Sequence, residues 1–258
     1  MTTTVRLARR VDGPADGPPV VLAPSLGATL EMWDGLVGAL AERYRVVRID
    51  TRGHGRSPVP DGPYAVAGLA DDVVAVADEL GLDRFAFVGL SLGGAIGQLL
   101  ALEHPERLSA LVLCCTVPRF GEPAGWLDRA AQVRAEGMAV LAEPTRGRWF
   151  TDDFRNHNPD EVERLIAMIT TTPVEGYAAC CEALAGFDVG ERLDRVSAPT
   201  RVIAAEHDQA APVDQVRDMC ARIPGADLVV LDGVSHIANV ADPKRFDAAV
   251  LEHLERTR

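Results

Sequence analysis

Positive charge is scarce in this chain: 26 Lys and Arg stand against 38 Asp and Glu, a formal net charge of -12. Binding to phosphate backbones needs concentrated Lys and Arg, so a nucleic-acid partner is not expected. Long apolar runs are missing as well. None approaches the ~18 residues that cross a bilayer, and no membrane partner is expected. The opening Met1-Thr2-Thr3-Thr4-Val5-Arg6 lacks the apolar stretch of a signal peptide. Cysteine is sparse, and four of the five occur as the adjacent pairs Cys114-Cys115 and Cys180-Cys181. That is neither a secretory disulfide framework nor a C-x-x-C spacing for zinc or redox chemistry. These residues read as small buried side chains in a reducing compartment, and a cytoplasmic location is expected. Internal repeats and low-complexity tracts are absent, and Gly13 to Pro19 is a turn-rich connector. The composition, 47% hydrophobic and 25% charged, is that of a globular protein with a large core and excludes disorder.

What is present is a rhythm of short apolar runs. Val20 to Ala23, Val46 to Ile49, Phe85 to Val88, Ala110 to Leu113, Arg201 to Ala204 and Leu228 to Leu231 are continuous rather than alternating. Such runs suit strands buried on both faces of a sheet. Val5, Leu7, Arg9 and Val11 instead alternate, as antiparallel strand material at a sheet edge does. Between the runs lie helical stripes, the clearest being Val66, Leu69, Ala70, Val73, Val74, Ala77 and Leu80, closed by Gly81. Strand and helix in alternation require crossovers and hence a mostly parallel sheet with helices on both faces. The rhythm stops between about Pro118 and Gly186, where helical stretches and no convincing strand are found. A segment of that length is too long for a loop. The expected organisation is a core of residues 1–117 and 187–258, with 118–186 a helical cap inserted after the sixth strand.

Chemistry concentrates at Gly89-Leu90-Ser91-Leu92-Gly93-Gly94, which follows one apolar run and precedes the helical Ala95 to Glu103. A G-x-S-x-G pentapeptide is weak evidence alone and strong evidence in a strand-turn-helix context, where it forms a nucleophile elbow. The turn is so tight that side chains at Gly89 or Gly93 would clash. The helix beginning after Ser91 points unpaired N–H groups, and a positive dipole end, at a developing oxyanion. A serine hydroxyl needs a base oriented by a third group. His236, in the loop before the final helix at Pro243 to Leu254, fits the base. Asp208, after Arg201 to Ala204, fits the acid, with Glu206 as rival and Asp214 and Asp232 as further alternatives. The order serine, acid, histidine is that of the α/β-hydrolase fold. The oxyanion donors are expected to be the backbone N–H groups of Leu92 and Leu26, the latter in Pro24-Ser25-Leu26-Gly27. Asp50-Thr51-Arg52-Gly53-His54-Gly55-Arg56-Ser57 is turn-dense but no phosphate cradle. Its expected job is structural, with Arg52 a candidate to border the pocket.

Assembled, these residues resemble the bacterial 3-oxoadipate enol-lactonases of the α/β-hydrolase superfamily. The matching stretches run from Asp50-Thr51-Arg52-Gly53-His54-Gly55 and the elbow to Arg148-Trp149-Phe150-Thr151 and Gly176-Tyr177-Ala178-Ala179-Cys180-Cys181. The elbow and histidine specify only the superfamily; the two later motifs point to the lactonase. Two departures stand out: Pro24, where the family tends to carry a polar residue, and Ala205, where a glycine usually precedes the acid. The resemblance implies an enzyme of aromatic catabolism, in the β-ketoadipate pathway. It would open a small lactone through an acyl-enzyme on Ser91, with no metal and no organic cofactor. The substrate would carry a free carboxylate needing a cation in the cap. Arg148 and Trp149 are the candidates for that wall, with Arg52, Arg119 and Arg134 next. A carboxylesterase, a C–C bond hydrolase or a biosynthetic lactonase of the same fold would use the same triad, and a non-catalytic small-molecule receptor is the alternative from another class.

Overall fold

The computed structural model describes residues 4–257, so Met1 to Thr3 of the opening segment lie outside the described residues. Seven strands form one sheet: β1 (Arg9–Asp12), β2 (Pro19–Ala23), β3 (Arg45–Ile49), β4 (Phe85–Leu90), β5 (Leu108–Cys114), β6 (Thr200–Ala205) and β7 (Asp227–Leu231). Their spatial order is β1-β3-β2-β4-β5-β6-β7. Only β1 runs antiparallel, pairing Arg9 with Ile49 and Asp12 with Val46; the other neighbours are parallel. Each strand predicted from an apolar run is found, extended by one to three residues. Every residue of β4 and β6 is buried, as strands covered on both faces require. The exception is β7, which closes the sheet and is half-buried along most of its length. An apolar run does not reveal whether its strand has one neighbour or two.

Eleven α-helices are present among the described residues. In chain order they are α1 (Asp34–Leu40), α2 (Val66–Glu79), α3 (Leu92–Glu103), α4 (Pro123–Glu136), α5 (Ala142–Trp149), α6 (Asp152–His157), α7 (Pro159–Thr170), α8 (Val174–Ala185), α9 (Val213–Arg222), α10 (Ala238–Ala241) and α11 (Pro243–Arg256). Helix α1 packs on α11 and α2 on α3, one pair to each face of the sheet. Helix α2 ends where the apolar stripe ends, with Gly81 at φ 66° turning the chain away.

Helices α4 to α8 occupy the chain between β5 and β6. The insertion therefore follows the fifth strand of this sheet, not the sixth. The opening segment and the four apolar runs before the insertion account for these five strands; the opening segment yields only β1, and Val5 gives its amide to the Asp72 carboxylate instead of to a ladder.

At one point the insertion meets the core backbone to backbone. Gly53, at φ 79°, lies so close to Gly176 of α8 that a Cβ on Gly176 would sit 2.1 Å from the Gly53 oxygen and 2.5 Å from its Cα. Backbone cannot swing aside as a side chain can. Gly176→Ala is therefore expected to destabilise by about 1–3 kcal/mol, lowering the melting temperature by roughly 3–10 °C at this chain length. Gly147→Ala in α5, where an added methyl meets nothing within 4 Å, should leave the midpoint unchanged or raise it, since alanine favours helix. Equal melting curves for the two variants would show that the Gly53–Gly176 approach does not constrain the structure.

Candidate active site

The elbow is built by close backbone approach. Ser91 leaves β4 at φ 57° and ψ -110°, a conformation that costs an L-residue energy and persists where its surroundings over-determine it. Those surroundings are specific. The Ser91 amide donates to the Cys114 oxygen at 2.9 Å, and the Ser91 oxygen accepts from the Ala95 amide at 2.9 Å and the Thr116 hydroxyl at 3.0 Å. A Cβ on Gly89 would stand 2.1 Å from the Gly93 oxygen, and one on Gly93 would stand 2.1 Å from the Ala23 oxygen. The glycines two positions either side of Ser91 are thus obligatory.

Asp208 follows β6 and His236 follows β7, so both reach the carboxyl-end edge of the sheet, as Ser91 does after β4. His236 Nδ1–H donates to Asp208 Oδ2 at 2.8 Å, and both side chains are buried. Asp208 Oδ1 accepts from the amides of Ala210 at 2.8 Å and Ala211 at 3.1 Å. Burial pushes the Asp208 carboxyl up, but the facing His236 and these amides outweigh it and hold the group below its ordinary value. The carboxylate in turn fixes the His236 tautomer, leaving Nε2 as the acceptor on the cavity side. Glu206, the rival acid, is exposed and accepts from the Gly233 amide at 2.8 Å, bracing the turn before His236. One participant was not legible in the sequence. Cys115, at φ 46°, brings its thiol against the Asp208 carboxylate, and burial together with that charge pushes the thiol well above its ordinary range.

Ser91 and His236 share the wall of a cavity of about 320 Å³, large enough for a small organic molecule. Leu26 lines it too. Among the described residues, neither the Leu26 nor the Leu92 amide has an acceptor, although their neighbours do: Ser25 N–H reaches Met32 Sδ, Gly27 N–H reaches His54 Nε2 and Gly93 N–H reaches the Pro24 oxygen. Two unpartnered amides flanking the serine are what an oxyanion hole requires.

The opposite wall comes from the insertion: Trp126, Arg129, Arg148, Trp149, Ile169 and Tyr177. Ser235 Oγ donates to the Arg148 oxygen at 2.8 Å and the Ile237 amide to the Trp149 oxygen at 3.3 Å, so the end of α5 is tied to the loop carrying His236. Among the described residues no salt bridge reaches the guanidinium of Arg129 or Arg148. Burial and the Arg129 charge push the Arg148 guanidinium down from its ordinary value. Arg129 lies over the Trp126 ring, 4.7 Å from its centroid, and beside the Tyr177 hydroxyl.

Sequence reasoning brought Arg148 and Trp149 to this wall but missed Arg129. Its signal was available: Arg129 falls between Trp126 and the buried Ala130 and Val133 on the inward stripe of α4. Arg52 does not line the cavity. It is held at 2.6 Å on both oxygens of Asp72, a buried carboxylate on α2 that draws the guanidinium toward the core. Arg119 and Arg134 are likewise engaged elsewhere, with Glu122 and with Glu175 and Glu182.

A doubly covered, mostly parallel sheet with a serine elbow after a central strand defines the class, and comparison agrees. Residues 18–243 match the family model for the alpha/beta hydrolase fold. The 3-oxoadipate enol-lactonase 2 of Acinetobacter baylyi is 39% identical over 95% of this chain and 91% of its own length. The crystal structure of the enol-lactonase from Burkholderia xenovorans LB400 superposes with a TM-score of 0.94 at 39% identity, covering 96% of each chain. A malate-bound thermophilic esterase from Thermogutta terrifontis follows at 30% identity and a TM-score of 0.92, covering 97% of this chain and 93% of that one. The chain belongs to the α/β-hydrolase superfamily and, within it, to the 3-oxoadipate enol-lactonase family. It is a hydrolytic enzyme acting on ester or lactone bonds of small molecules. No helix among the described residues is long and apolar enough to cross a membrane.

If the Asp208–His236 bond orients the base, Asp208→Asn should lower kcat by about 10³–10⁴. Glu206→Gln, which alters contacts with the Gly233 amide and the exposed His207 ring, should stay within about threefold. Steady-state kinetics with any turned-over ester decides it, and the reverse ranking would transfer the role to Glu206.

Proposed function

We propose that this enzyme opens 3-oxoadipate enol-lactone to 3-oxoadipate through an acyl-enzyme on Ser91. The observation that carries the substrate reading is the pair of arginines, Arg129 and Arg148, without salt-bridge partners on the cavity wall facing Ser91. Two half-desolvated like charges are unfavourable until an anion neutralises them. The free carboxylate of the enol-lactone is such an anion, and malate in the related esterase is a carboxylate too.

In this reading residues 118–186 act as a cap that excludes water and supplies the cations. Ser91 Oγ attacks the lactone carbonyl while His236 Nε2 takes its proton. The carbonyl oxygen gathers charge between the Leu26 and Leu92 amides, and Asp208 stabilises the imidazolium. Collapse breaks the ring C–O bond and expels an enolate oxygen, a better leaving group than an alkoxide, which takes up the proton. Water deprotonated by His236 then attacks the ester carbon, the Ser91–acyl bond breaks, and the released enol tautomerises to the 3-oxo diacid. As the Ser91–acyl bond breaks, His236 returns the water's proton to Ser91 Oγ, so proton transfers up to product release need only the chain's own groups and water, and no cofactor enters. The same wall would accept a carboxylate-bearing ester, so an esterase working on such anions is the second reading.

Two measurements test this proposal. Ser91→Ala should remain folded and lose turnover by roughly 10⁴ or more, with no covalent labelling by a fluorophosphonate. Activity within tenfold of the parent would remove Ser91 as nucleophile. For the substrate, Arg148→Met and Arg129→Met should each lower kcat/KM for the enol-lactone by about 10–100-fold, the equivalent of a charge-assisted hydrogen bond of about 1.5–3 kcal/mol. Neither should much affect an uncharged alkyl-substituted lactone. Equal losses on both substrates would make the arginines supports of the cap. Turnover of simple esters but not of the enol-lactone would overturn the lactonase reading and leave the hydrolase chemistry.

A further inference from the structure

The loop after β2 carries the cavity-lining Leu26, whose amide has no acceptor among the described residues, and the amide after it has an unusual partner. His54 Nε2 accepts from the Gly27 N–H at 2.9 Å. The imidazole is fully buried, and its other nitrogen, Nδ1, lies 3.2 Å from the Arg52 oxygen, a bond in which Nδ1 must donate. Both ring nitrogens are thus committed, and the neutral Nδ1–H tautomer is the one that satisfies both partners. Burial pushes the His54 pKa down to about 4, so the ring stays neutral at physiological pH. Arg52 is itself anchored by the two short bonds to Asp72, which makes the platform behind His54 rigid.

Gly27 is constrained from its other sides by the insertion. Its oxygen accepts from the Thr172 hydroxyl at 3.4 Å, and at φ 80° a Cβ there would stand 2.5 Å from Ile169 Cγ1. Three residues further, the Leu30 amide donates to Asp50 Oδ1 at 2.7 Å. The Asp50 to Ser57 loop therefore grips the chain directly after Leu26 at two amides, those of Gly27 and Leu30, while the N–H of the cavity-lining Leu26 has no acceptor among the described residues.

We propose that His54 is a positioning residue for catalysis: as a neutral acceptor on the Gly27 amide, it fixes the peptide that follows Leu26 and so aims the Leu26 N–H at the reacting carbonyl oxygen. This rests on the reading of Leu26 as an oxyanion donor. The donor acts on charge that develops after binding, so a misaimed amide lowers kcat and spares KM.

The test compares His54→Leu, which removes the acceptor, with His54→Gln, whose side-chain oxygen reaches nearly the position of Nε2. His54→Leu should lower kcat by about 10–100-fold, the range for a misaligned oxyanion donor, with KM within about threefold. His54→Gln should recover most of the loss. A His54→Leu enzyme with parental kcat overturns the proposal, as do equal losses in both variants or a loss confined to KM. If His54→Leu fails to fold, ¹⁵N-histidine spectra of the parent protein at pH 7 decide instead, with the His54 signals identified by their disappearance in His54→Gln. An unprotonated Nε2 and a protonated Nδ1 support the proposal, and the opposite tautomer overturns it. Ser91→Ala, measured in parallel, separates the two readings. An active Ser91→Ala removes the oxyanion reading and His54's role with it. An inactive Ser91→Ala beside a fully active His54→Leu removes His54 alone.

Discussion

The arrangement depends on how closely backbone can approach backbone at the elbow. Ser91 holds a left-handed conformation because Gly89 and Gly93 let the strand, the turn and the first turn of α3 come together at distances no side chain would permit. That contact carries the helix start against β2, where the Gly93 amide meets the Pro24 oxygen. It thereby sets the spacing between the Leu92 amide and the loop bearing Leu26. The same device recurs at the edge of the insertion, where Gly53 meets Gly176. A strained serine, two unpartnered amides and the seat of the cap thus share one physical origin.

Electrostatics is organised in the opposite sense from the bulk composition. The chain is acidic overall, yet the cavity that Ser91 lines also presents two arginines that no salt bridge reaches among the described residues. Most other arginines are paired on the surface or in the core, as Arg134 and Arg52 are. The exception is functional in form: desolvation raises the cost of an unpaired charge and equally strengthens its attraction for a bound anion. On the other side of the cavity, Asp208 combines burial with His236 and two amides, so its negative charge stays where the imidazole needs it.

Much of this was legible beforehand. Continuous apolar runs gave the strands and the 3.6-residue stripe gave α2, because both periodicities follow from local geometry. Ser91, Asp208 and His236 could be singled out because the elbow has a sequence signature and the chain order narrows the partners, and the fold brings all three to one edge of the sheet. Arg52 was misread. A turn-dense loop near the elbow does not say which way a long side chain points, and a buried carboxylate on α2 drew it into the core. Arg129 carried a readable signal on the inward stripe of α4, whereas the approach of Cys115 to Asp208 joins residues distant in sequence.

The sequence by itself determined the alternation of strands and helices, the tight serine turn and the presence of a long helical insertion. Each is a consequence of residues within a few positions of one another. Tertiary structure alone decided that β7 is an edge strand, that Arg129 joins Arg148 over Ser91, and that His54 holds the Gly27 amide. These depend on contacts between segments far apart in the chain, and no local preference encodes which charge will meet which void once the sheet has closed around its core.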